Sequence, residues 1–161
     1  GVGSIRAQSN NMSVGGGWAL NSWKNFDAGT GKVIFNGSSA QTISWQTNNT
    51  RKFKHLQISN SDVSFAKNTS ISGTLTIDSG ATLDINGKNL TAATLVNNGN
   101  LQLSGNETVS ITTKDTDSGT ITYDGTATGL AYGNAYYNLA LNTTGTMMAL
   151  FVYKMNVWLY F

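Results

Sequence analysis

Cysteine and proline are absent from the 161 residues. The first absence excludes disulfide staples, thiolate metal sites and cysteine nucleophiles together. The second suits long ladders of hydrogen-bonded strands, because a proline inside a sheet removes a donor from the ladder. Charge is scarce as well: Asp, Glu, Lys and Arg make up 11% of the chain, against about a quarter in ordinary soluble domains. A formal net charge of +2 with scattered Lys and Arg makes no nucleic-acid footprint, and the one basic cluster, residues 51–55, is short enough to be a charged strand edge. His55 is the only histidine, so a Ser-His-Asp arrangement has to use it, and no acid stands beside it in the sequence.

Hydroxyls and amides supply the polarity instead, with Ser, Thr and Asn making up about a third of the chain. These residues, with Gly and the β-branched types, favour strands and turns over helices. Short alternations follow small residues throughout: "GKVIF" from Gly31, "GTLTI" from Gly73, "ATLDI" from Ala81, "GNLQL" from Gly99 and "GTITY" from Gly119. Successive side chains of a strand point to opposite faces, so Leu75 with Ile77, Leu83 with Ile85, Leu101 with Leu103, and Ile121 with Tyr123 are expected to point inward. Val109 and Ile111 belong to the same expected core. Between the alternations lie turns such as "NGKN" (residues 86–89) and "NNGN" (residues 97–100), whose Gly and Asn tolerate the left-handed conformation of a sharp corner.

Spacing separates the β architectures. Leu83 and Leu101 are 18 residues apart, and Leu101 and Ile121 are 20, about one coil of three short strands around a common axis. A sandwich of hairpins gives more closely spaced strands, although the Asn86-Gly87 pair leaves a hairpin open at that point. The expected fold is all-β, a right-handed parallel β-helix (β-solenoid) in which each coil buries its apolar edge against its neighbours. Its expected organisation is a flexible, glycine-rich lead-in over residues 1–17, the solenoid over residues 18–146, and an atypical apolar tail or cap over residues 147–161.

A longer self-similarity lies over this pattern. Gly31 matches Gly119 and the "FKHLQI" at Phe53 matches the "YYNLAL" at Tyr136, in the same order. This reads as a long repeat from about residue 31 and a partial second copy from about residue 119. At Trp18, Trp23, Phe26, Ala28, Gly29, Thr30, Gly31, Val33, Phe35, Gly37, Gln41 and Ile43 the chain resembles the repeats of large bacterial cell-surface and secreted parallel β-helix proteins, of adhesin or autotransporter-passenger type. The second copy keeps Gly119, Ile121, Tyr123 and Gly125 and departs at Ala131, where a Gln was expected. The resemblance covers roughly residues 17–144 and implies an extracellular or cell-surface location. The repeat, the scarce charge, the absent Cys and Pro and the missing catalytic set make a structural or adhesive role the expected one, with a carbohydrate or a host or cell surface as the partner considered. The resemblance names no ligand, because folds of this kind carry many functions. Ala7 before Gln8 is compatible with a processed leader.

The tail, "MMALFVYKMNVWLYF", is more apolar than anything before it, yet too short for a spanning helix. Its alternation places Tyr153, Met155, Val157, Leu159 and Phe161 on one face. Phe151, Val152, Tyr153 and Trp158 are expected to cover the last coil or to form a self-associating patch.

No convergent catalytic or metal set emerges, and no cofactor is expected. Asp115 and Asp117 have the alternating oxygens of a calcium loop without its glycine and final glutamate. Asp78 and Asp84 could face outward as the carboxylate pair that glycoside hydrolysis uses, so a polysaccharide lyase or hydrolase fragment is the alternative reading. That reading needs Asp78, Asp84, Lys88 and Lys114 on consecutive outward positions of one face. Trp18, Trp23, Phe26 and Trp45 could stack on sugars or staple the first coils. Thr74, Thr76, Thr120 and Thr122 suggest an ice-binding threonine array, interrupted by Asp84, Asn100 and Gln102. Asn36, Asn68, Asn106 and Asn142 open Asn-x-Ser/Thr sites that matter only in a glycosylating pathway.

Overall fold

The computed structural model describes residues 5–6, 8–20, 26–45, 52–126, 129–142 and 156–159. These residues form a parallel β-solenoid of about six turns, with no helix among them. The first coil holds β1 (Ile5–Arg6), β2 (Met12–Val14) and β3 (Trp18–Leu20), and the second β4 (Phe26–Asp27), β5 (Lys32–Phe35) and β6 (Gln41–Trp45). The third holds β7 (Lys52–Phe53), β8 (His55–Ile58) and β9 (Val63–Phe65). The next three hold two strands each: β10 (Thr69–Ile77) and β11 (Thr82–Asp84), β12 (Leu90–Asn97) and β13 (Asn100–Leu103), then β14 (Val109–Thr113) and β15 (Thr120–Tyr123). Beyond them lie β16 (Asn138–Leu141) and β17 (Asn156–Leu159).

Coil position decides which strands pair. A seven-stranded sheet runs β2-β5-β8-β10-β12-β14 with β7 also beside β10, an eight-stranded sheet runs β3-β6-β9-β11-β13-β15-β16-β17, and β1 pairs β4. All of these pairings are parallel. The long strand β10 serves two walls. Its register against β12 shifts between Ile71 and Thr74, an irregularity of the kind that bends a strand. Gly73 occupies the bend, where a Cβ would stand 2.5 Å from the Lys54 carbonyl oxygen.

In-register pairing stacks the inward side chains into columns. Met12, Val33, Leu56, Leu75 and Leu95 succeed one another along one wall. Val63, Leu83, Leu101, Ile121 and Leu139 do so along another. Leu75, Ile77, Leu83, Ile85, Leu101, Leu103, Ile111, Ile121 and Tyr123 are all buried in one continuous core. Val109 is the exception, only half-buried, because β14 is the last strand of its sheet among the described residues.

Several expectations meet a different geometry. Met12–Val14, within the stretch read as a flexible lead-in, is a strand paired with β5, since its apolar-polar-apolar order fits the same wall. The glycines at positions 15–17 form the corner between β2 and β3. The two copies of the long repeat lie on different sheets: Lys32–Phe35 is in the seven-stranded sheet and Thr120–Tyr123 in the eight-stranded one. Their similarity reflects chemistry shared by every wall, and the structural unit is the coil, 18 to 20 residues along Val63, Leu83, Leu101, Ile121 and Leu139. The Asn86-Gly87 turn joins β11 of one sheet to β12 of the other, so it is a corner and makes no hairpin. At the far end, Asn156–Leu159 pairs in parallel with β16, setting Val157 beside Leu139 and Trp158 beside Ala140. Trp23, Phe151, Val152 and Tyr153 lie outside the described residues.

Candidate functional site

Several of the side chains that could carry chemistry lie at or beside the corners between walls, where the backbone leaves its ladder and needs other partners; others, such as His55, Gln57 and Asp84, stand on the strands. Gln41 and Asn60 are buried. Gln41 Nε2 donates to the carbonyls of Val14 and Gly16 at 2.8 and 2.7 Å, and its Oε1 accepts from Gly37 N at 2.9 Å and Asn60 Nδ2 at 2.9 Å. Asn60 Nδ2 also reaches the Ser39 carbonyl at 2.7 Å. Asn89 N donates to Asn68 Oδ1 and Thr108 N to Asn89 Oδ1, each across 2.9 Å, so a second asparagine rung climbs another corner. Apart from Gly37 and Gln41, partners in these rungs are separated by about one coil, which hides them from any local sequence pattern.

His55 belongs to the same scheme. Its Nδ1 accepts from Thr74 N at 3.1 Å, one coil further on, beside the bend at Gly73. Asp78 accepts from Gln57 Nε2 at 2.7 Å and from Ser59 Oγ, while Lys32 Nζ donates to Gln57 Oε1 at 2.8 Å. Lys32, Gln57 and Asp78 thus tie three successive coils. Asp84 stands on the eight-stranded sheet, its Oδ1 taking Asn86 N at 2.6 Å, whereas Asp78 follows the end of β10 in the seven-stranded sheet. Lys88 lies in the turn after β11. Lys114 donates to the Tyr132 carbonyl and sits 4.7 Å from the centre of the Tyr132 ring. Asp78, Asp84, Lys88 and Lys114 therefore do not occupy consecutive outward positions of one wall.

Asp115 closes a corner. Asn97 N donates to its Oδ2 at 2.6 Å, and Asp117 N and Ser118 N donate to its Oδ1 at 3.1 and 3.2 Å. Burial pushes its pKa up, but the bonds from Asn97, Asp117 and Ser118 outweigh burial and leave it below the ordinary aspartate value. Asp117 moves the other way, held up by its side-chain bond to Asp115 and by that neighbour's charge.

A second acidic group was not legible in the sequence. Asp124 is raised by burial first, then by the charge of Asp84, with a smaller push from Glu107. Glu107 is buried, and its Oε2 accepts from Gly105 N at 2.7 Å. Among the described residues no three metal-ligating side chains come close enough together to hold a cation. Three tyrosines also converge. Tyr132 N donates to the Tyr123 phenol oxygen at 2.8 Å, the Tyr123 and Tyr136 oxygens lie 3.1 Å apart, and the Tyr132 hydroxyl donates to the Asp115 carbonyl at 3.1 Å. Burial raises all three phenols above their ordinary pKa. They anchor residues 129–137 against the interior of the sixth coil.

Three of the aromatic residues considered for sugar stacking face inward. Trp18, Phe26 and Trp45 are buried, with Trp18 edge-on to Phe26 at 5.0 Å and Trp45 6.0 Å from Phe53. They staple the first three coils through ring contacts. The threonines divide between sheets. Thr74 lies beside Thr94 and Thr94 beside Thr113 on the seven-stranded sheet, while Thr120 and Thr122 pair with Asn100 and Gln102 on the eight-stranded one. They are not one array. No family model, curated protein or solved structure matches the protein.

Proposed function

We propose that the protein is a non-enzymatic structural or adhesive segment of a secreted or cell-surface β-helix protein. One observation carries this reading: four of the polar side chains that catalysis could use are engaged in holding one coil to the next. His55 bonds Thr74 N, Asp78 bonds Gln57 and Ser59, Asp115 bonds Asn97 N, and Lys114 bonds the Tyr132 carbonyl. Such a stack resists bending and presents long outer walls to its surroundings. The strands β10, β12 and β14 contain no charged residue. Their outward Thr74, Thr91, Thr94 and Thr113 favour a neutral, hydroxyl-rich partner such as a carbohydrate over a polyanion. Further coils, or a second copy, would extend the ladder beyond β2 or β14, the end strands of their sheet among the described residues.

Incubating the full-length protein with pectin, alginate, chitin and glucans, with and without calcium, tests this reading. No depolymerisation is expected, and retention on at least one insoluble polysaccharide or cell surface supports adhesion. Depolymerisation that disappears in Asp78→Asn or Asp84→Asn overturns the reading in favour of a polysaccharide-degrading fragment.

A further inference from the structure

Three Asn-Gly pairs occur at residues 36–37, 86–87 and 98–99, and the fold treats them differently. All three asparagines are exposed. At two of the pairs the glycine is locked into the stack. Gly37 N donates to Gln41 Oε1 at 2.9 Å, and a Cβ on Gly37 would lie 2.4 Å from the Gly15 carbonyl oxygen. Gly99 N donates to Asn97 Oδ1 at 3.3 Å, and a Cβ there would lie 2.4 Å from the carbonyl oxygens of both Ala81 and Asp78. Asn98 is further held by Ser118 Oγ, which donates to its Oδ1 at 3.2 Å.

The pair at residues 86–87 has none of these restraints. Asn86 has φ 50° and Gly87 φ 66°, and Lys88 N donates to the Ile85 carbonyl at 2.8 Å, which makes a two-residue turn of type I′. Gly87 is exposed, its N–H has no partner among the described residues, and its nearest prospective Cβ contact is Ser104 Oγ at 3.6 Å. Opening this turn breaks the backbone bond from Lys88 N to the Ile85 carbonyl and the local bond from Asn86 N to Asp84 Oδ1, whereas opening either of the other two separates packed coils.

We propose that Asn86-Gly87 is a site of spontaneous covalent modification, the first of the three Asn-Gly pairs to deamidate in the folded protein. The Gly87 backbone nitrogen attacks Asn86 Cγ, and a bond forms between them. The bond from Asn86 Cγ to Nδ2 breaks, and ammonia departs with the proton lost by the Gly87 amide, leaving a cyclic succinimide. Water then adds to either ring carbonyl and opens the ring to aspartate or isoaspartate. The product carries a new negative charge two residues from Asp84, whose carboxylate holds Asn86 N at 2.6 Å. The isoaspartate form also adds a backbone methylene to a turn whose length matches the spacing between walls.

The test is peptide mapping with isoaspartate detection on the folded full-length protein held at mildly alkaline pH, beside the same protein in denaturant. Conversion at Asn86 several-fold faster than at Asn36 or Asn98 in the folded state, with the differences shrinking in denaturant, is the expected result. Equal or faster conversion at Asn36 or Asn98 in the folded state overturns the proposal. The same ranking and spread in denaturant overturns it too, since local sequence rather than the stack would then set the order.

Discussion

The Asn60 carboxamide donates to Gln41 Oε1 across 2.9 Å from the coil above, inside a protein with few charged residues. A buried amide whose groups are all paired rigidifies its surroundings, while one that loses a partner leaves costly orphans. Replacing Gln41 with Leu strands Gly37 N and the Gly16 carbonyl, and takes one partner each from the Val14 carbonyl, which keeps Asn36 N, and from Asn60 Nδ2, which keeps the Ser39 carbonyl. The expected loss is about 2 to 4 kcal/mol, read from the denaturation midpoint at unchanged m-value. A loss within error of zero would mean that the rung is incidental.

Leu101 lies fully buried between Leu83 and Ile121. Leu101→Ala is expected to cost about 2 to 5 kcal/mol, because neighbours held in a regular stack collapse poorly into the cavity. Thermal or chemical unfolding measures it. A much smaller cost would place Leu101 outside a continuous core.

Two glycines separate conformational strain from crowding. Gly80 has φ 78° with open space around it, whereas a Cβ at Gly99 would meet two carbonyl oxygens at 2.4 Å. Gly80→Ala is expected to cost about 1 to 2 kcal/mol from its left-handed backbone. Gly99→Ala should cost clearly more, by pushing coils apart. Circular dichroism melts of both variants compare them, and the reverse order would contradict the coil contacts at Gly99.

Stability should fall at both extremes of pH. Asp115 is depressed when folded, so its contribution is complete above the unfolded aspartate value of about 3.9 and is lost as pH falls through the folded value. Asp115→Asn should therefore destabilise most near neutrality and progressively less in acid. Tyr123, Tyr132 and Tyr136 are raised. Their contribution is complete below the unfolded phenol value of about 10 and is lost as pH rises past it towards the folded values. An ultraviolet titration should find these phenols ionising together with alkaline unfolding; free ionisation of all three in the folded protein near pH 10 would contradict their burial.

The inward columns were legible because alternation is a local signal, and Leu75 with Ile77 or Leu101 with Leu103 can be read from five consecutive residues. The phase of the coils was not. "GKVIF" and "GTITY" look alike because every wall asks for the same alternation, and only pairing assigns them to different sheets. Corner chemistry was hidden for a related reason. Gln41 with Asn60, Asn68 with Asn89, and Asp84 with Asp124 meet only after the backbone has gone round the axis once or more. Glycine richness before Trp18 suggested looseness, yet the Gly16 carbonyl is a partner of Gln41.

In-register parallel stacking is the claim on which the rest depends, and paired cysteines test it directly, since the protein has none of its own. Asn100 and Thr120 are Cα partners on adjacent strands, as are Thr82 and Asn100. Neighbouring strands lie about 4.8 Å apart, within disulfide reach, whereas Thr82 and Thr120, two strands apart at about 9.6 Å, exceed it. Under mild oxidation, Asn100→Cys with Thr120→Cys is expected to form an intramolecular disulfide readily, and Thr82→Cys with Thr120→Cys is not. Efficient cross-linking of the second pair together with failure of the first would contradict the stacked solenoid.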